Sequence, residues 1–107
     1  MEMNQYQIVL VNLDTTLGSK INNTRPCVVI SPNEMNKYLQ TIIIAPITNT
    51  PKAYPTRLEI KNHKIKGWIV IDQVRTIDKL QVIKKLGELN EKELMAIKNI
   101  IKETFVD

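Results

Sequence analysis

The first 89 residues of the chain alternate between short apolar runs and polar breaks. Val, Ile and Leu fill runs of about four to eight residues, which is typical of β-strands. The segments between them are rich in Asn, Thr, Gly and Pro, the residues that favour turns. The pattern at residues 73–79 is ambiguous. The pattern predicts strands at residues 6–13, 27–31, 41–45, 56–61, 68–72 and 82–89.

Prolines mark where some of these runs end. The run at 41–45 stops at Pro46, which lacks the amide hydrogen that a strand ladder uses. Residues 47–55 hold two further prolines and no apolar period, so we expect a loop there. Ser31 is a candidate N-cap for a short helix, because a proline follows at the first helical position.

The C-terminal segment changes to the period of a helix. Its apolar residues recur every three or four positions, at Leu94, Ile97, Ile101 and Phe105. Asn90, three residues before Glu93, resembles a capping box, so the sequence predicts a helix over residues 91–105. Short strands and one terminal helix favour a mostly antiparallel barrel or twisted sheet that this helix covers.

Length and composition limit the class of protein. A chain of 107 residues is expected to form one domain, residues 1–107. Cys27 is the single cysteine, so neither an intramolecular disulfide nor a thiolate zinc site is expected, and its apolar neighbours predict a buried packing role. The apolar runs are shorter than the ~20 residues that span a bilayer, and no secretion signal is visible, which predicts a cytoplasmic protein. The net charge of +4 and pI of about 9.3 favour a nucleic acid or an acidic protein as partner.

Three stretches carry the motifs of one known family. Residues 13–19 (LDTTLGS) lead to residues 24–26 (TRP), in the pattern D-x-x-x-G-S…R-P. Residues 45–48 (APIT) and 53–56 (AYPT) follow the pattern P-(I/V/C)-T…Y-P. Residues 67–78 (GWIVIDQVRTID) follow G-x-x-x-x-D-Q-x-R-T-I-D, the most specific of the three patterns. Together they resemble the MazF/PemK family of toxins, over nearly the whole chain.

This resemblance implies a fold, an activity and partners. The fold would be mostly β, a small SH3-like barrel of five to seven antiparallel strands with a C-terminal α-helix. The activity would be that of an endoribonuclease toxin that cuts single-stranded RNA without a metal or another cofactor. The chain would form a homodimer, an acidic antitoxin would neutralise it, and operator DNA would be bound only through that antitoxin. No membrane partner is expected.

Metal-free cleavage of RNA places three demands on the protein. A group must accept the 2′-hydroxyl proton, another must stabilise charge on the phosphoryl oxygens, and a third must protonate the leaving oxygen. The resemblance assigns catalysis to Arg25 and Thr48. The Arg25 guanidinium stays charged and can bind two phosphate oxygens, while the Thr48 hydroxyl can donate to phosphate or orient the 2′-hydroxyl. The alternatives are a surface arginine before a proline and a turn threonine.

Polar residues near this pair are candidates for binding RNA. They lie in the loop before Arg25, in the loop after Thr48 and after the fifth predicted strand. An ordinary solvated loop is the alternative for each of them. The predicted RNA-binding residues are Ser19, Lys20, Asn22, Asn23, Thr24, Asn49, Lys52, Tyr54 and Gln73.

Other residues receive structural assignments. His63, the single histidine, lies in a lysine-rich connection and is expected to be an inert surface residue. Asp72 and Arg75 carry opposite charges and are expected to pair. Trp68 is expected to pack in the core or at a dimer interface rather than to stack on bases.

Two departures from the family pattern change the expected chemistry. Lys20 stands where many members have Glu, which leaves the cleavage specificity open. Ser19 and Val70 stand where some members have His and Arg. A mechanism built on that His/Arg/Asp set therefore does not carry over, and the version built on Arg25 and Thr48 remains.

Two further functions fit the fold class. One is a non-enzymatic gyrase poison like the CcdB toxins, which use a tryptophan-containing C-terminal segment that this chain lacks. The other is a catalytically silent barrel that only binds RNA. Cleavage of RNA in EDTA separates both from a nuclease.

Overall fold

The computed structural model describes residues 2–13, 23–50, 56–61 and 64–106. Within these ranges the chain forms seven strands and two α-helices, together with 3₁₀ turns at Ile71–Gln73 and Lys79–Gln81. The elements are β1 (Gln7–Asn12), β2 (Thr24–Val29), α1 (Asn33–Tyr38), β3 (Thr41–Thr48), β4 (Arg57–Ile60), β5 (Gly67–Val70), β6 (Arg75–Asp78), β7 (Val82–Glu88) and α2 (Glu91–Phe105).

Strand β3 lies at the centre of the sheet. One of its edges pairs with β2 at residues 44–46, and the other pairs first with β6 at residues 41–44 and then with β5 at residues 47–48. The strands follow the order β4-β5-β3-β2-β1-β7, all antiparallel, with β6 beside β3. In the described part of the chain the sheet is open, because β4 and β7 at its ends do not pair with each other. The predicted fold class, mostly β and antiparallel with a C-terminal helix, is confirmed.

The predicted break at Pro46 is wrong. Strand β3 continues through Pro46 to Thr48, and Pro46 lies opposite Cys27 of β2. On the other edge of β3, the ladder with β6 ends at Ile44 and the ladder with β5 starts at Ile47. Proline therefore occupies a stretch of that edge where no ladder forms, and a residue without an amide hydrogen is tolerated at such a place. The loop predicted from residue 47 begins after Thr48.

Ser31 does not cap helix α1. Pro32 is the N-cap and makes no side-chain cap bond. The Ser31 hydroxyl instead accepts a hydrogen bond from the Ile43 amide (3.0 Å) and donates to the side chain of Asn36. Asn36 in turn donates to the Ser31 carbonyl (2.9 Å), so this buried polar pair anchors α1 to the edge of β3.

The central strands are buried on both faces. Neighbouring residues on a strand, such as Val28 and Val29, belong to two different apolar clusters. The first cluster combines Met3, Val9, Val11, Cys27, Val29, Ile42, Ile44, Ile77 and Val82. The second, under α2, combines Ile8, Val28, Ala45, Ile47, Ile60, Ile69, Ile71, Leu89 and Ile97. Burial on both faces explains why the sequence shows unbroken apolar runs rather than strict alternation.

Helix α2 begins and ends as the sequence predicts. The Asn90 side chain accepts a hydrogen bond from the Glu93 amide (2.8 Å), and the Glu93 side chain accepts one from the Asn90 amide (2.9 Å). Ile97 is fully buried in the second cluster, so the helix covers one face of the sheet. No helix in the described residues is long and apolar enough to cross a membrane.

Candidate active site

Arg25 and Thr48 lie at matching ends of two adjacent strands. The ladder between β2 and β3 runs from the Val29–Ile44 pair to the Cys27–Pro46 pair. Continuing the same register by two residues puts Arg25 opposite Thr48. Adjacent strands are about 4.8 Å apart, and directly opposed residues project on the same side of a sheet. The two predicted catalytic residues are therefore neighbours on one face.

Both residues line a solvent-open depression, which we call the first hollow. Its volume is about 380 Å³, and its walls are residues 24–26 at the start of β2 and residues 47–50 at the end of β3. Predicted RNA-binding residues Thr24 and Asn49 are among them. Arg25 is exposed and Thr48 half-buried, so a ligand in the hollow reaches both. The Thr48 hydroxyl accepts a hydrogen bond from the Thr50 amide (3.2 Å), which leaves its hydrogen available for donation.

Arg25, Thr48 and Thr50 also line a second hollow of about 250 Å³. Its remaining walls are Pro46, Arg57, Val70 and Gln73. Gln73 thus lies beside Arg25 and Thr48, and its role in binding RNA stays a prediction. Arg57 is a candidate site residue that sequence reasoning missed. The period-two alternation put it on one face of a strand but did not show whether that face lines the site.

The registers arrange these residues in two parallel rows across four strands. An inner row, mostly buried, comprises Arg57, Val70, Pro46 and Cys27. An outer row, two residues further along each strand, comprises Glu59, Trp68, Thr48 and Arg25. Both rows lie on the face opposite α2, because the alternate residues Ile47, Ile60 and Ile69 belong to the cluster under that helix.

Cys27 is buried directly beneath Arg25. Its side chain is 0% exposed, and burial raises the pKa of the thiol from its ordinary 9.0 to about 12, against the opposing influence of Arg25 and Arg75. The thiol therefore stays protonated and is not a nucleophile at neutral pH. The predicted packing role of Cys27 is confirmed.

Arg75 adds a further positive charge to this face. It lies opposite Ile44 on β3, so its side chain projects on the same side as Arg25 and Cys27. The expected pairing with Asp72 is wrong, since no ion pair joins these two described residues. Asp72 is held instead by the Thr56 hydroxyl, which donates to it over 2.8 Å.

Trp68 does not pack in the core. It is half-buried and belongs to neither apolar cluster, because the alternation of β5 turns Ile69 towards α2 and Trp68 towards the opposite face. Its direct neighbours across the strands are Thr48 on one side and Glu59 on the other.

Gly67, next to Trp68, approaches the backbone of β3 closely. It adopts a φ of +154°, and a Cβ atom at this position would lie 2.6 Å from the Thr48 carbonyl oxygen. Real contacts of this kind do not occur, so only glycine fits here without moving β3.

Among the remaining predicted residues, Asn23 lies in the described part of the chain and is not among the residues that line either hollow. Asn23 is exposed, and its carbonyl accepts a hydrogen bond from the Leu13 amide (2.9 Å). Ser19, Lys20, Asn22, Lys52 and Tyr54 lie outside the described residues, as does His63. In the part of the chain that is described, His, Cys, Asp and Glu side chains form no group of three that could hold a metal ion.

The family model of PemK-like, MazF-like toxins of type II toxin–antitoxin systems matches residues 4–105. The chain belongs to this family. The toxin is 33% identical over 105 residues to an endoribonuclease MazF of Staphylococcus saprophyticus, a match that covers 92% of this chain and 88% of that protein. It is also 33% identical over 100 residues to an endoribonuclease MazF of Staphylococcus epidermidis, covering 88% of this chain and 83% of that one.

Solved structures share the fold of the toxin at lower sequence identity. MazF from Deinococcus radiodurans superposes with a TM-score of 0.82 at 19% identity, covering 100% of this chain and 99% of that one. A mycobacterial endoribonuclease in complex with its cognate antitoxin gives a TM-score of 0.83 at 17% identity, covering 97% and 95%. These similarities confirm the MazF-like fold.

Proposed function

We propose that this toxin cleaves single-stranded RNA by attack of a 2′-hydroxyl on the adjacent phosphate, with Arg25 and Thr48 at the reacting phosphate. Membership of the family and two curated endoribonuclease relatives support the activity. The observation that carries the assignment of residues is that a guanidinium and a hydroxyl, 23 positions apart in the chain, line the same two hollows.

The chemistry needs a nucleophile that the described site does not itself offer. Among the described residues that line the two hollows there is no carboxylate, imidazole or ionised thiol. The proposed nucleophile is the substrate's own 2′-hydroxyl. The 2′-oxygen forms a bond to phosphorus as it loses its proton, the bond from phosphorus to the 5′-oxygen breaks, and that oxygen gains a proton. The products are a 2′,3′-cyclic phosphate and a 5′-hydroxyl end.

Arg25 and Thr48 have distinct parts in this reaction. Charge accumulates on the phosphoryl oxygens in the transition state, and the planar guanidinium of Arg25 binds two of them at once. The Thr48 hydroxyl, already accepting from the Thr50 amide, donates to a phosphoryl oxygen or orients the attacking 2′-hydroxyl. This mechanism requires no metal ion or other cofactor.

Arg57 and Gln73 hold RNA beside the reacting phosphate. The second hollow adjoins the first through Arg25, Thr48 and Thr50, so a chain bound in one continues into the other. Arg57 is suited to the next phosphate and Gln73 to the edge of a base. Thr24 and Asn49 bind RNA in the first hollow.

An acidic antitoxin is the protein partner that fits this surface. Arg25, Arg57 and Arg75 project on one face, and the chain has a net charge of +4. The mycobacterial relative was solved with its cognate antitoxin, and one Deinococcus structure contains MazE and MazF together. The toxin acts in the cytoplasm as a homodimer, and reaches operator DNA only through the antitoxin.

One assay tests the proposed reaction. The purified toxin is incubated with a long structureless RNA in EDTA, and the ends of the products are mapped. We expect defined cuts that leave 2′,3′-cyclic phosphate and 5′-hydroxyl ends. Intact RNA would contradict the proposal, and a supercoiling assay would then distinguish a gyrase poison from a silent RNA-binding protein. Cuts that appear only with added divalent metal would contradict the metal-free mechanism.

A further inference from the structure

Trp68 occupies an unusual position for the single tryptophan of a chain with few aromatic residues. It is half-buried, it belongs to neither core cluster, and it projects on the face opposite α2. Directly opposed residues of antiparallel strands have their Cβ atoms about 4.5–5.5 Å apart. The indole is therefore the immediate neighbour of Thr48, on the side away from Arg25.

The charges along the outer row indicate how a bound nucleotide is oriented relative to Trp68. Arg25 lies at one end of the row and Glu59 at the other, with Thr48 and Trp68 between them. A phosphate is attracted to the guanidinium end, whereas at the other end Lys61 lies 3.6 Å from the Glu59 carboxylate and offsets its charge. A nucleotide whose phosphate contacts Arg25 and Thr48 is thereby turned so that its base points towards Trp68.

We propose that Trp68 is a stacking platform for an RNA base adjacent to the cleaved phosphate. The inference rests on the proposed nuclease function and adds a base-binding residue to it. Aromatic side chains stack on bases of any sequence because every base has a π-face, so Trp68 contributes affinity rather than sequence choice. Glu59 stays at the edge of this platform, where Lys61 lies 3.6 Å from its carboxylate.

The intrinsic fluorescence of Trp68 can test this proposal. Since the chain contains no other tryptophan, its fluorescence reports on this position alone. The toxin is titrated with a 2′-O-methyl copy of a structureless RNA, which cannot be cut because the nucleophile is blocked, and in parallel with inorganic polyphosphate. We expect RNA to quench the emission to saturation and polyphosphate to leave it nearly unchanged, because only RNA carries bases.

Variants test the same point through turnover. Trp68→Leu removes the ring, Trp68→Phe keeps an aromatic face, and Tyr38→Leu removes an exposed aromatic residue on α1 as a matched control. We expect Trp68→Leu to raise KM by about ten- to a hundredfold with little change in kcat, whereas the Phe variant and the control stay near the parent toxin.

Each outcome decides the proposal. If the Trp68 emission does not change on adding RNA, although the anisotropy of labelled RNA shows that it binds, the proposal is overturned. It is also overturned if the emission changes with protein concentration and not with RNA, because Trp68 would then lie between two copies of the chain. In both cases cutting by the parent toxin would leave the proposed function standing. If the parent toxin leaves RNA intact, the nuclease proposal fails, and quenching still decides whether Trp68 binds bases. The titration uses the unchanged protein, so it remains decisive if Trp68→Leu does not fold.

Discussion

Cys27 and Arg25 lie two residues apart on the same face of β2, and the chain passes from core to solvent between them. Cys27 is 0% exposed, whereas Arg25 is exposed and lines both hollows. The mostly buried inner row thus lies at the boundary of the core, and the outer row lies next to it on the solvent side. The residues assigned to the chemistry can therefore be replaced without opening the core.

The first prediction concerns Arg25 and Thr48. Replacing either by Ala should lower kcat by about 10²–10³, because each loses a group that contacts the phosphate as charge develops. Thr48→Ser should keep most of the activity, since it keeps the hydroxyl. Single-turnover cleavage of the mapped RNA site measures both effects.

The control for charge is Lys102→Ala, on the exposed side of α2. It should cleave like the parent toxin. All these variants should unfold in urea within about 0.5 kcal/mol of the parent toxin. Residues that act as a unit are not additive, so the double variant should lose much less than the product of the two single losses. If the loss in kcat of the double variant equals the product of the two single losses, Arg25 and Thr48 do not act as a unit on the same phosphate.

Arg57 is expected to act in binding rather than in the chemical step. Arg57→Ala should raise KM several-fold with a smaller effect on kcat, and it should reduce the slope of log Kd against log salt by about 0.7, the contribution of one phosphate contact on a single strand. Titrations of uncleavable RNA at several salt concentrations measure that slope. A loss confined to kcat would instead place Arg57 at the reacting phosphate.

From the buried thiol of Cys27 we predict that the free energy of unfolding decreases at alkaline pH. The pKa of its thiol is about 12 in the folded protein and near 9.0 in the unfolded chain, so between these values the folded state holds a proton that the unfolded state has lost. Stability from this thiol is complete below pH 9 and declines as the pH rises towards 12. The free energy of unfolding should fall less between pH 8 and 10 in Cys27→Ala than in the parent toxin. Equal losses in both proteins would refute this account.

The capping box of α2 gives a prediction about stability alone. Asn90→Ala removes the side chain that accepts from the Glu93 amide and should lower the free energy of unfolding by about 0.5–2 kcal/mol. Asn99→Ala, in the middle of the same helix and exposed, is the matched control and should be neutral or slightly stabilising. Similar losses in both variants would show that the cap makes no special contribution.

Local patterns were sufficient to predict α2 and most of the strands. The start of α2 depends on two residues three positions apart, and its face on a period of 3.6, so both are visible in the sequence. Pro46 misled the prediction because its tolerance depends on which strands pair beside it. Strand β6 was missed because its four residues, Arg75–Asp78, include two charged ones and too little apolar alternation.

The site could be predicted only where a motif supplied long-range information. Arg25 and Thr48 came from the family resemblance, and the structure brings them together, although their catalytic roles stay predictions. Arg57 and the position of Trp68 could not be predicted, since alternation shows that a residue changes faces but not which face lies under α2. The Asp72–Arg75 pairing was wrong, and the partner that Asp72 has instead, Thr56, is 16 positions away in the chain and could not be predicted from local sequence.

Gly67 makes the proposed active site sensitive to replacement of a residue that has no side chain of its own. A side chain there would push against the peptide group of Thr48, so even Gly67→Ala should displace the hydroxyl from its working position. In cells that express the toxin without an antitoxin, selection for survivors should therefore recover replacements at position 67 alongside those at Arg25. Such proteins would fold and still bind RNA, and they would lose their toxicity because the backbone at Thr48 is displaced by a small distance.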